Sequence, residues 1–173
     1  DPYTAQAWAL IPRGGPSDVD RAVEAAHQAF TTGDWAEINA TQRGALLRKL
    51  GDLLSEHADH LAEIEVRDNG KLIAEMSAQC KYLPQWYHYY GGLADKIEGS
   101  VIPIDKPGHF NYTLWEPLGV VAAITPWNSP LLLTTWKLAP ALAAGNTVVV
   151  KPSQYTSASM LEFMKIFEKA GFP

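Results

Sequence analysis

The 173 residues carry 14 basic and 19 acidic side chains, a formal charge of -5, and the basic residues are scattered, so neither nucleic acid nor an anionic membrane is an expected partner. Hydrophobic residues at 47% and charged residues at 19% mark a folded globular chain; no apolar run reaches the roughly 20 residues of a bilayer span, and the opening DPYTAQAWALIPRGG lacks the features of a signal peptide. A single cysteine, Cys80, excludes an internal disulfide and fits a reducing compartment, so a cytoplasmic location is expected.

Residues 1–16 place Trp8, Leu10 and Ile11 ahead of a Pro-Arg-Gly-Gly-Pro turn, as an edge strand or an extended arm. A helix is predicted from Ser17, with Asp20 three residues on as a capping-box partner. Val19, Ala22, Val23, Ala26, Ala29 and Phe30 then recur at helical spacing until Gly33-Asp34. A second helix opens at Thr41 with Leu46, Leu47, Leu50, Leu53 and Leu54 on one face. A third is predicted over about 59–68, where Asn69-Gly70 supplies a left-handed terminus. The fourth, over about 72–95, carries Tyr82, Trp86, Tyr87, Tyr89 and Tyr90, and Pro84 is expected to kink or split it. With no basic residues interleaved, those aromatics read as a core or a subunit interface, not as a platform for stacking bases.

The period then changes to two. Residues 101–105 and 111–116 flank a Lys106-Pro107-Gly108 turn, a hairpin that is marginal alone and is expected to lean on another subunit. Residues 119–125 form an apolar run expected for a strand covered on both faces. A Leu- and Ala-rich helix over 131–144, bent by Pro140, leads to a second buried strand at 147–151 and a last amphipathic helix over 156–170. Strand, helix, strand, helix at these lengths predicts an α/β fold with parallel pairing.

In open parallel sheets, ligands bind beyond the carboxyl ends of the strands. Here those ends read Thr125-Pro126-Trp127-Asn128 and Lys151-Pro152-Ser153-Gln154. Each proline stops the ladder by removing a donor. The ammonium of Lys151, after three valines, must reach solvent, a carboxylate or a bound anion. Neither a G-x-G-x-x-G nor a G-x-x-x-x-G-K-[ST] motif occurs in the chain.

The segments EPLGVVAAITPWNSPL and WKLAPALAAGNTVVVKPS closely resemble the aldehyde dehydrogenase superfamily, and Asp18-Val19-Asp20 and Asp68-Asn69-Gly70-Lys71 fit it as well. The likeness runs from about Ser17 to Pro173, as an N-terminal portion of that fold. It implies a Rossmann-like cofactor domain contributed by 1–98 and 117–173, an oligomerisation hairpin at 99–116, and a catalytic domain absent from these residues. The implied reaction is oxidation of an aldehyde to a carboxylic acid by NAD or NADP, through a cysteine thiohemiacetal, in a homo-oligomer (dimer or tetramer). In that scheme Asn128 donates its amide to the oxyanion, a contact whose loss typically costs about 2.7–4 kcal/mol in the barrier. Asn128 is equally compatible with capping the following helix. The resemblance places Ile124, Thr125, Pro126 and Trp127 along the cofactor cleft, Lys151, Ser153 and Gln154 at the adenosine ribose, Leu133 and Trp136 on the aldehyde tunnel, and Lys137 in support of Asn128.

Two positions depart from the family pattern. Many relatives favouring NAD carry glutamate where this chain has Gln154, and an amide repels a ribose 2′-phosphate less than a carboxylate does, which makes NADP or dual use credible. Trp115 stands where many members have arginine, without a functional account. The family's nucleophilic cysteine, general-base glutamate and pyrophosphate turn all lie later in its sequence than these residues reach. Cys80, mid-helix and upstream of Asn128, reads as a buried small hydrophobe. His57, His60, Glu63 and Glu65 read as a solvated helix face. The alternative to a portion of an enzyme is a naturally short, non-catalytic oligomerisation module. A lone portion would leave apolar sheet edges uncovered and is expected to self-associate.

Overall fold

The computed structural model describes Asp1–Pro173 in full. Its elements run α1 (Pro16–Thr31), α2 (Asp34–Glu37), α3 (Ala40–Asn69), α4 (Ile73–Leu93), β1 (Val120–Ile124), α5 (Pro130–Ala143), β2 (Thr147–Lys151) and α6 (Ala158–Ala170). This is the mixed α/β chain with a small parallel sheet that the sequence predicts. β1 and β2 pair in parallel from Val120 opposite Thr147 to Ile124 opposite Lys151, with α5 as the crossover.

Several local expectations shift. α1 starts before Ser17, because Pro16 supplies the pre-set φ of a first helical residue and Asp18 Oδ2 accepts from Gly15 N–H at 2.7 Å. Asp20 takes no part in that cap. The predicted second and third helices are one, α3, since nothing between residues 55 and 59 breaks a helix and the buried stripe continues through Ala58 and Leu61. It ends at Gly70 in the left-handed conformation (φ 74°), as expected. Pro84 does not split α4, which runs unbroken across it. Asp1–Gly15 forms no strand; it lies as an arm whose Trp8 ring sits 5.8 Å beneath the Arg67 guanidinium.

α3 and α4 form an antiparallel hairpin around the main core, which includes Leu47, Leu50, Leu54, Leu61, Met76, Leu83 and Tyr87. Their backbones come close at Gly44 and Gly91: a Cβ on Gly44 would stand 2.4 Å from Gly91 O, and one on Gly91 2.9 Å from Gly44 O. Arg48 Nη1 donates to the same Gly91 carbonyl at 2.7 Å.

α1 and α5 pack on the sheet, but two strands are too few to be enclosed. Within β1 only Ala123 is buried, and the valines of β2 are half-buried, so the expectation of strands covered on both faces does not hold here. An apolar groove of about 590 Å³ therefore runs along β2 between α1 and α6. The hairpin at 99–116 is reduced to one antiparallel bridge, Val101 with Tyr112, flanked by bonds from Ile102 N to Asn111 O and from Thr113 N to Ser100 O.

Candidate functional site

Because Ile124 and Lys151 are level, the two strands end at the same edge of the sheet. Thr125 N–H donates to Lys151 O at 3.1 Å and extends the pairing by one step. The loops carrying Pro126, Trp127 and Asn128 and Pro152, Ser153 and Gln154 thus leave side by side. The structure brings together seven of the residues that the sequence singles out: Ile124, Thr125, Pro126, Trp127, Lys151, Ser153 and Gln154. Ile124 is 69% exposed and Trp127 54% exposed, an apolar pair facing outward where a buried sheet residue would be expected. Lys151 is exposed and takes part in none of the chain's ion pairs, so its charge stays available. Thr125 Oγ1 is buried without a hydrogen-bond partner in the chain, at the same edge.

Asn128 is exposed, and it does not cap α5: the N-cap position belongs to Ser129, whose own side chain makes no capping bond. The amide is therefore not committed to holding its own helix. Leu133, Trp136 and Lys137 share one face of α5 by their spacing. Leu133 is half-buried, Lys137 exposed, and the Trp136 ring lies 5.6 Å from Trp86 of α4. The helical aromatics divide accordingly. Tyr87 is fully buried, its hydroxyl donating to Thr135 Oγ1 at 3.3 Å, and burial pushes its pKa up. Tyr82 and Tyr89 remain exposed.

What holds these loops comes from the end of α3 and the link after it. Glu65 is not on a solvated face; it is 1% exposed. Its Oε1 accepts from Leu131 N–H at 3.4 Å, in the first turn of α5, and its Oε2 receives the Cys80 thiol at 3.5 Å. Burial pushes its pKa up to about 7, against the opposing pull of the Leu131 N–H, the thiol and the Lys71 charge. One turn later, Asp68 Oδ2 accepts from Ser159 N–H at 2.8 Å and so caps α6. Burial raises its pKa, and the Ser159 and Ala158 N–H groups lower it. Lys71 Nζ reaches Ser129 Oγ at 3.3 Å and Glu75 at 3.1 Å. The signal for Glu65 was present in spacing alone: Leu47, Leu50, Leu54, Ala58, Leu61 and Glu65 follow one another at three and four residues. Glu63 and His60 do lie exposed, as expected.

Cys80 is buried, and burial with the neighbouring Glu65 pushes its thiol pKa up, away from the reactive thiolate. The reading of it as a small core residue stands. No cluster of three or more metal-ligating side chains is present. No helix is long and apolar enough to cross a membrane.

The whole chain, residues 1–173, matches the aldehyde dehydrogenase family. It is 51% identical over its full length to (Z)-2-((N-methylformamido)methylene)-5-hydroxybutyrolactone dehydrogenase of Acinetobacter baylyi, covering 36% of that protein. It is 39% identical to betaine aldehyde dehydrogenase of Bacillus subtilis, covering all of this chain and 35% of that protein. Among solved structures, a point mutant of betaine aldehyde dehydrogenase from Staphylococcus aureus in complex with NAD+ superposes with a TM-score of 0.95 at 38% identity, over 99% of this chain and 35% of that one. The NAD+ complex of an aldehyde dehydrogenase from Bacillus cereus gives a TM-score of 0.87 at 44% identity, over 91% of this chain and 32% of that one. The chain spans about a third of the length of these relatives. It belongs to the aldehyde dehydrogenase family and corresponds to an N-terminal portion of that family's fold.

Proposed function

We propose that these residues serve the oxidation of an aldehyde to a carboxylic acid with NAD or NADP as oxidant, contributing the oxyanion donor and the adenosine side of the cofactor site. The observation that carries this reading is the level ending of β1 and β2, which sets an uncommitted amide, Asn128, beside a loop with a free cation, Lys151. The residues suit a dinucleotide: the outward Ile124 and Trp127 offer apolar surface to an aromatic base, and Lys151, Ser153 and Gln154 offer donors and acceptors to a ribose. When bound, the nicotinamide supplies a hydride acceptor. In this reading a cysteine outside these 173 residues adds to the aldehyde, and Asn128 donates to the oxygen that gains charge. A neutral amide strengthens that hydrogen bond as charge develops without having to titrate. Leu133 and Trp136 wall the substrate's approach, and Lys137 stands on the same face as a support for Asn128.

The test is Asn128→Ala in the protein encoded by the full reading frame. It is expected to lower kcat by about 100- to 1,000-fold with little change in KM for the dinucleotide. An unchanged kcat overturns the assignment.

A second observation favours self-association through residues 99–118. Phe110, Leu114, Trp115 and Leu118 are 69–94% exposed there, around a single bridge that cannot sustain itself. We read this hairpin as a contact in a homo-oligomer; replacing Leu114 and Trp115 by serine is expected to lower the sedimentation mass, and an unchanged mass counts against it.

A further inference from the structure

Burying a carboxyl group on the apolar stripe of α3 is costly, and an apolar side chain of the same size would fill the stripe more cheaply. The worth of Glu65 therefore lies in what its oxygens hold. One of them holds Leu131 N–H, a donor that the first turn of α5 cannot satisfy internally. Leu131 is joined to Asn128 only through Ser129 and Pro130, both buried, and the proline ring fixes one of the intervening torsions. Ser129 is held separately, by Lys71 Nζ on its hydroxyl at 3.3 Å. On the other side of the loop, Thr125 N–H is tied to Lys151 O at 3.1 Å. Only Pro126, Trp127 and Asn128 hang between these anchors.

We propose that Glu65, assisted by Lys71, is a positioning residue for Asn128, fixing the start of α5 so that the exposed amide stands where an oxyanion forms. The proposal rests on the oxyanion role of Asn128 given above. Directional donation tolerates little error: a misplacement of about 1 Å can cost on the order of 100-fold in rate. Both anchors come from the end of α3 and the link after it, so neither depends on the loop's own flexible backbone.

Three variants of the full-length protein, with one double variant, test it by steady-state kinetics and thermal melting. Glu65→Met removes the acceptor but keeps volume and apolar character. It is expected to lower kcat about tenfold or more, with KM for the dinucleotide unchanged and a melting temperature equal to or above that of the parent. Glu65→Gln, whose amide oxygen can still accept from Leu131 N–H, is expected to restore most of kcat. Asn128→Ala separates the two levels of the argument. If it lowers kcat and Glu65→Met does not, the positioning role fails while the reading of Asn128 survives. If Asn128→Ala leaves kcat unchanged, both fail. Adding Glu65→Met to Asn128→Ala is expected to cost nothing further in kcat; a full multiplicative loss overturns the proposal. A kcat loss in Glu65→Met that tracks a fall in melting temperature, and that Glu65→Gln does not restore, reduces Glu65 to an ordinary core residue and also overturns it. Should Glu65→Met fail to fold, Lys71→Met, at a part-exposed position, is expected to lower kcat several-fold by the same route, and an unchanged kcat there overturns it.

Discussion

The two strand-end loops leave one sheet edge and are each held by a carboxylate from the same turn of α3, yet they are built differently. The loop after β1 is short and tied on both sides, by Thr125 to β2 and by Ser129 and Leu131 to Lys71 and Glu65. The loop after β2 is longer and shaped largely by itself: Ser157 Oγ donates to Ser153 O at 2.8 Å and Thr156 N–H to the same oxygen at 3.2 Å. Its outside anchor is Asp68 on Ser159 N–H, past the start of α6. A single amide that must meet a developing charge needs a fixed origin. In the function proposed above, a dinucleotide spreads its binding over many contacts and would tolerate Lys151 and Gln154 on a looser frame.

The contrast can be broken most forcefully at Glu65. Its folded pKa of about 7 lies above the usual carboxyl value, through burial first, with Lys71 and the Cys80 thiol opposing and Asp68 adding to the rise. The folded state then binds the proton more tightly than the unfolded state. The associated stability is full below about pH 4.5 and is lost as pH rises through about 7, a change on the order of 3 kcal/mol. Urea unfolding at pH 5 and pH 8 is expected to show that decline in the parent and to show it diminished in Glu65→Gln; equal slopes in both would place the proton elsewhere. At the other loop the effect is smaller. Asp68→Ala removes the cap of α6 and is expected to cost about 1 kcal/mol, with a raised KM for the dinucleotide and little change in kcat. A kcat loss as large as its KM change would erase the division of labour between the loops.

Finer still is Gln154→Glu. A carboxylate repels a ribose 2′-phosphate by about 1 kcal/mol or more near a surface, so the ratio of kcat/KM for NAD over NADP should rise several-fold. A ratio that stays fixed would remove Gln154 from the ribose. Cys80→Ala sits at the bottom of the scale, with kcat expected to be unchanged.

The sequence made the strand ends legible because their chemistry is local. A proline stops a ladder wherever it stands, and valine runs before Lys151 announce a strand without reference to the rest of the chain. The αα-hairpin was legible only in part. Leucine spacing marks the first half of α3, but the short stretch Ser55–Ala58 is helix-compatible without announcing either a break or a continuation, and tertiary packing settles it as one helix. Glu65 was misjudged because residue type outweighed position. A carboxylate suggests solvent, while its place seven residues after Ala58 and four after Leu61 puts it on the buried stripe. The burial expected for β1 and β2 failed for a different reason: apolar content states what a strand can be covered by, and within these residues only α1 and α5 lie on the sheet.

The glycine crossing of α3 and α4 bears on the order in which the chain acquires its shape. Gly44 and Gly91 let two long neighbouring segments close on each other through a three-residue link, a pairing with low loop-closure entropy. The β1–β2 pairing must instead wait for α5 to cross between strands 27 residues apart in register. Local closure runs ahead of such non-local pairing, so the α3–α4 hairpin is predicted to acquire hydrogen-exchange protection first in pulse labelling, and protection of β1 before α3 would contradict this. Glu65 and Asp68 would then be in place as a template before either strand end arrives, and the two loops would take their shape against groups already fixed.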